Sequence, residues 1–190
     1  MLLKMIQCEA YLKNFRFRSQ GFLLKIYLLL HGCKVGNGIK CKQFPKFRTI
    51  PYKNISVGNN VNFGYNLTFD IEQCGKLILG NNVNLTQDIV ISAMRKVLIG
   101  DNTLIAENVS IRDGNHSFKI DLNINKQPLT VEEIIIGKDV WIAAGVRVLK
   151  GSIINDGCVI ACNAVVTQKT ATEKNGIYAG LPIKKISARI

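Results

Sequence analysis

The chain has 190 residues, 47% of them hydrophobic, and a formal net charge of +12. That length makes one domain, or one domain with an appendage, and the apolar content is ample for a core, which excludes a disordered chain. The longest apolar stretch, Gly21–Leu30, is broken by Lys25 and is too short to span a bilayer.

The basic residues are scattered, with no run of five and no helix-turn-helix, finger or RNP pattern, so no nucleic-acid partner is expected. A basic surface also suits a polyanionic small molecule or an anionic membrane face. The six cysteines (8, 33, 41, 74, 158, 162) contain no C-x-x-C pair, so they read as reduced structural thiols and no metal is expected. No apolar run followed by a small-residue cleavage site opens the chain, and the expected location is the cytoplasm or the inner face of the membrane.

Residues 1–34 come first. Leu3, Ile6, Tyr11, Phe15, Phe22, Ile26 and Leu29 recur at helical spacing, with Lys4, Lys13, Arg16, Arg18 and Lys25 between them. The pattern predicts one or two amphipathic helices, with Gly21 as a break. Two roles are open: a cap over the exposed end of the segment beginning at residue 35, or a helix lying on a membrane surface.

Residues 35–170 carry a six-residue period. Aliphatic anchors fall at Ile136, Ile142, Val148, Ile154, Ile160 and Val166; earlier sets are Ile99, Ile105, Ile111, then Leu79, Leu85, Ile91 and Val57, Phe63, Phe69. A helix repeats every 3.6 residues and a strand every 2, so neither alone explains six. A parallel β-helix does, since each short strand buries one aliphatic and then turns a corner. Extra residues near Gln73–Lys76 and Met94–Lys96 are expected as bulges at corners. Six to seven coils at about 4.8 Å each give a prism roughly 30 Å tall.

One break in the period is large. After Ile111 come Arg112–His116 and then a polar insert, 117–133, which is expected to project as a loop; the register resumes at Ile136. Residues 171–190 leave the repeat as a C-terminal tail. Of the two histidines, His31 ends the apolar N-terminal segment and reads as structural, whereas His116 is placed at the end of a hexad strand, at the root of the loop.

The repeats, together with D-G-N-H-S-F (113–118), I-I-I-G-K-D-V-W-I-A-A-G-V (134–146), V-I-A-C-N-A-V-V-T (159–167) and Y-A-G-L-P-I-K-K-I (178–186), resemble the hexapeptide-repeat acyltransferases. The likeness is to the branch with maltose and galactoside O-acetyltransferases and the sugar O-acetyltransferases of polysaccharide assembly. It implies an all-β, left-handed parallel β-helix, a homotrimer, and acetyl-CoA held between neighbouring prisms. It implies His116 as general base, Ala144 as the backbone N–H facing the thioester, Trp141 beside the pantetheine arm, and Cys162 as a backbone contact to that arm. Lys184 and Lys185 fall where the family contacts CoA phosphates. Gln168 and Ser187 stand where galactoside acetyltransferases have basic residues, leaving Lys169 or Arg189 for the 3′-phosphate. Asn84 and Asp88, in the coil before the histidine, and Asp113 and Asn115, beside it, are the candidate acceptor-binding residues.

The chemistry is simple. A sugar hydroxyl is a weak nucleophile, and an imidazole titrating near neutrality takes its proton as the oxygen attacks the thioester. The function expected is acetyl-CoA-dependent O-acetyl transfer to a saccharide of a cell-surface polysaccharide. A xenobiotic acetyltransferase and a non-catalytic β-helix are the rivals. A γ-type carbonic anhydrase would need three histidines on zinc, and this chain has two histidines in all.

Overall fold

The computed structural model describes residues 2–190. Short strands separated by corners wind into a three-faced, left-handed parallel β-helix. The first face stacks six strands from Lys34–Val35 up to Ile153–Ile154, and the third stacks six from Lys46–Phe47 to Val165–Val166. The second runs from Lys40–Cys41 to Val159–Ile160 and ends with two further strands, Gly176–Ala179 and Lys184–Ala188.

The hexad anchors fill the axis. Ile99 stands on Ile136, Ile105 on Ile142 and Ile111 on Val148, one per face, and all six are buried. Each stacked pair removes branched aliphatic surface from water, the dominant favourable term in such a solenoid.

The corners explain the Asn-rich sequence. Between the first and second faces Asn60, Asn82 and Asn102 adopt φ of 56°, 57° and 58°, the left-handed region that Asn tolerates better than most residues. Their side chains stack as an amide ladder, Asn60 donating to Asn82 at 3.2 Å and Asn82 to Asn102 at 2.9 Å. A parallel ladder, Asn59–Asn81–Asp101, ends on a carboxylate. The backbone N–H of Asn81, at 2.7 Å, and then the Lys138 ammonium hold Asp101 below the usual carboxylate range.

The N-terminal segment is one helix, α1 (Leu2–Leu30), not two. Gly21 does not break it. It is buried where α1 crosses the first coil, and a Cβ there would overlap the carbonyl oxygen of Ile39. Glycine is required for that close approach, and sequence alone does not separate this role from a helix stop. The helix ends in a Schellman motif. Gly32, at φ +73°, donates to Leu29 O at 2.9 Å, and the Cys33 N–H reaches Leu28 O at 3.0 Å. Leu24 and Leu28 are buried against the prism, and Tyr27 packs on Phe47, which packs on Phe69 inside the first coils. His31 is structural: its Nδ1 lies 2.8 Å from Tyr27 O and its ring rests on that tyrosine.

The helix has a second apolar face. At 100° per residue, Tyr11, Phe15, Phe22, Ile26 and Leu29 line a side roughly a third of a turn round from Gly21, Leu24 and Leu28, and all five are exposed. Two apolar sides make α1 less one-sided than its sequence suggests.

Candidate active site

The insert folds as an antiparallel hairpin. Gly114–His116 pairs with Leu129–Val131, and a 3₁₀ turn, Ile124–Lys126, lies between them. The hexad strand before the insert ends at Arg112, so His116 belongs to the hairpin, opposite Leu129, and not to the prism strand.

Asp113 holds the root of this hairpin. It is fully buried, and its carboxylate accepts the backbone N–H groups of Met94 at 2.7 Å, Arg95 at 2.8 Å and Lys96 at 2.8 Å. Those residues form the corner bulge expected from the spacing, whose donors would otherwise lack partners. Asp113 therefore anchors the loop and has no free edge for a sugar, which corrects the acceptor role expected for it.

Alternation along the hairpin strand sends Asn115 and His116 to opposite sides. His116 is exposed and lines a cleft of about 360 Å³ with Ser117, Phe118, Lys119, Thr130 and Lys150. Its ring makes no hydrogen bond among the described residues. Asn115 lines a larger cleft of about 750 Å³ between hairpin and tail, with Lys150, Gln168, Lys169, Pro182 and Lys184. Among the described residues three cations line this second cleft and no acid does; Lys150 is paired with Glu132 at 3.4 Å, and Lys169 and Lys184 have no ion-pair partner. Lys184 thus faces a space that suits phosphates, with Lys169. Lys185 does not: it pairs with Glu173, which raises its pKa. Arg189 is likewise engaged, by the Asp139 carboxylate at 2.8 Å. Lys150, which borders both clefts, was not singled out from sequence; nothing in its L-K-G context marks it.

Trp141, Ala144 and Cys162 group on another edge. Trp141 is half-exposed on the second face. Ala144 follows at the corner toward the third face, with Cys162 one coil above; the Asn163 N–H bonds Ala144 O at 2.9 Å. The Ala144 N–H itself meets no acceptor among the described residues, as an oxyanion donor requires. Cys158 is buried in the core, as its hexad position predicts, and burial raises its thiol pKa.

The acceptor candidates separate. Asn84 points outward on the second face, accepts the Asn62 amide at 2.7 Å and lines a groove beside α1. Asp88, four residues on at the corner toward the third face with φ 54°, accepts from Asn66 at 2.6 Å and borders a different cleft, with Arg112 and Arg147. Within one chain His116 leaves the corner between the third and first faces, while Ala144 stands at the corner between the second and third. None of these clefts is lined by both. Among the described residues no three metal-binding side chains cluster.

Comparison with known proteins gives these relations. Residues 133–168 match a family model described as bacterial transferase hexapeptide (six repeats). Over 141 residues the chain is 36% identical to a protein of Escherichia coli K12 named as a putative lipopolysaccharide biosynthesis O-acetyl transferase, WbbJ, covering 70% of this chain and 71% of that one. In fold it is similar to AntD, an N-acyltransferase of Bacillus cereus solved with dTDP and 3-hydroxybutyryl-CoA, with a TM-score of 0.73 at 20% identity over 92% of this chain and 90% of that one. It is also similar to a galactoside acetyltransferase solved with coenzyme A, with a TM-score of 0.59 at 24% identity over 91% and 80% of the two chains.

Proposed function

Because the chain belongs to the hexapeptide-repeat acetyltransferases, we propose that it moves the acetyl group of acetyl-CoA to a hydroxyl of a saccharide bound for a cell-surface polysaccharide. The observation that carries this reading is that one chain presents an exposed histidine on a projecting hairpin and, on a separate edge beside an exposed tryptophan, a corner N–H without an acceptor among the described residues. The relative named for lipopolysaccharide biosynthesis supports the substrate class.

His116 takes the hydroxyl proton as the sugar oxygen attacks the thioester carbon. The Ala144 N–H stabilises the oxyanion. The C–S bond then breaks, and the CoA thiolate leaves and recovers the proton from the imidazolium. Trp141 flanks the pantetheine arm, the Cys162 backbone contacts it, and Lys184, with Lys169, faces the phosphates.

The active unit is a homotrimer, because one chain keeps base and donor edge apart. Two adjacent faces carry outward apolar columns. On the first face Ile78, Leu98, Ile135 and Ile153 stack in register. On the second Leu104, Trp141, Val159 and Ile177 do the same. Packing the first face of one copy on the second face of the next is a head-to-tail contact, which three-fold rotation closes.

The trimer works at the cytoplasmic face of an anionic membrane. Support comes from the outward stripe of α1, bordered by Arg16, Arg18 and Lys25. The helix holds five basic residues against the single acid Glu9, which Lys13 already pairs at 2.6 Å. A second copy of so basic a helix would repel it, whereas anionic lipid complements it.

The direct test incubates the protein with acetyl-CoA and a panel of saccharides, following thiol release and the mass gain of one acetyl group on the acceptor. Thiol release with acetylated sugar is expected. Acetylation of chloramphenicol or macrolide arms alone would overturn the saccharide reading.

A further inference from the structure

The groove between α1 and the second face is not used by the chemistry above. It measures about 900 Å³, within the range of small-ligand sites. One wall is helical: Arg18, Phe22 and Lys25. The other is Lys40 with the outward amides Asn62 and Asn84 and the corner amides Asn60 and Asn82. No acidic residue lines it, and among the described residues Arg18 and Lys40 have no ion-pair partner, while Lys25 is held by Asn37 Oδ1 at 2.7 Å. Three cations gathered without a counter-charge raise the local potential and attract a compact anion.

The groove also has a direction. The outward residues of the second face form one registered column, from Lys40 to Asn62, Asn84, Leu104 and Trp141. Charge lies at the helix end, amides follow, and the tryptophan that flanks the acetyl donor comes last. Amides suit hydroxyl-rich rings, and the exposed face of Phe22 offers a pyranose an apolar surface.

Resting on the saccharide reading above, we infer that this groove binds the diphosphate of an activated saccharide acceptor. Arg18, Lys25 and Lys40 grip the diphosphate, and a short chain of sugars runs over Asn62 and Asn84 toward the subunit interface at Trp141. A nucleotide-linked and a lipid-linked sugar share this chemistry.

The test uses the full chain saturated with CoA, so that phosphate sites on the donor side are filled. Inorganic pyrophosphate is titrated calorimetrically against the parent and the double variant Arg18→Gln, Lys40→Gln. Affinity should fall about tenfold or more in the variant, with CoA affinity unchanged. In acetyl-transfer assays the KM for a UDP-linked and for a farnesyl-diphosphate-linked trisaccharide, long enough to span the four strand steps to Trp141, should rise together, and the parent's lower KM identifies the source of the diphosphate. Equal pyrophosphate affinity in parent and variant overturns the inference. If no saccharide is acetylated while the pyrophosphate difference persists, the saccharide reading fails and the anion groove stands.

Discussion

The carboxylate of Asp113 meets the backbone N–H of Lys96 at 2.8 Å, tying the root of the histidine hairpin to a bulge one coil below. Asp113→Asn keeps the size but replaces one acceptor oxygen with a donor facing backbone N–H groups. The expected loss is about 2 kcal/mol or more, since bonds to a buried charge are the costly ones to break. Thermal melting checks it, and an unchanged Tm would show that the bulge has other partners.

His116→Ala should lower kcat by about 10²- to 10⁴-fold, the scale of a lost general base. CoA binding should hold, because the imidazole acts on the acceptor hydroxyl while Trp141, Cys162 and the lysines contact CoA. Steady-state kinetics with CoA titration reads both, and turnover near the parent's would remove His116 from the mechanism.

Gly21→Ala tests the close approach at Ile39. In a free helix the change would stabilise by about 1 kcal/mol. Here the added methyl overlaps backbone, and the sign reverses to a loss of about 1–3 kcal/mol. A raised Tm would mean that α1 shifts to accommodate it.

These three sites differ in how far the sequence discloses them. The hexad anchors were legible because a buried branched residue every six positions has one physical solution, and Ile99 on Ile136 is that solution. The bulge at Met94–Lys96 was legible as a count of extra residues; that Asp113 satisfies its N–H groups was not, because D-G-N reads equally as a turn. Gly21 was legible as glycine and misread as a break, because the carbonyl it approaches belongs to Ile39, beyond the helix. Asn84 and Asp88 are near in sequence, yet Asn84 lies on the second face and Asp88 at the corner beyond it, so they border different clefts.

Ile135→Asp places a charge in the outward aliphatic column of the first face, away from the core. Light scattering of the parent should give three times the chain mass of 21.1 kDa, and the variant should fall toward one. A parent that is active at the mass of one chain would exclude the trimer.

Phe22→Glu with Ile26→Glu reverses the character of the outer stripe of α1 without touching Leu24 or Leu28. The parent should sediment with vesicles containing phosphatidylserine at low salt and release at high salt, with each basic residue near the surface contributing about 1 kcal/mol. The double variant should stay in the supernatant. A parent that ignores such vesicles would leave α1 as a cap alone.

The registered column from Lys40 to Trp141 turns the prism into a ruler. Its four steps, each one strand spacing, set the helix about 19 Å from the tryptophan. That separation changes only in whole coils, because the amide ladders give successive coils the same cross-section. Excising one coil would bring the two ends nearer by a single increment of about 4.8 Å and leave the faces in register. Reach along this surface is therefore quantised, and it is adjusted by repeat number and not by side-chain size.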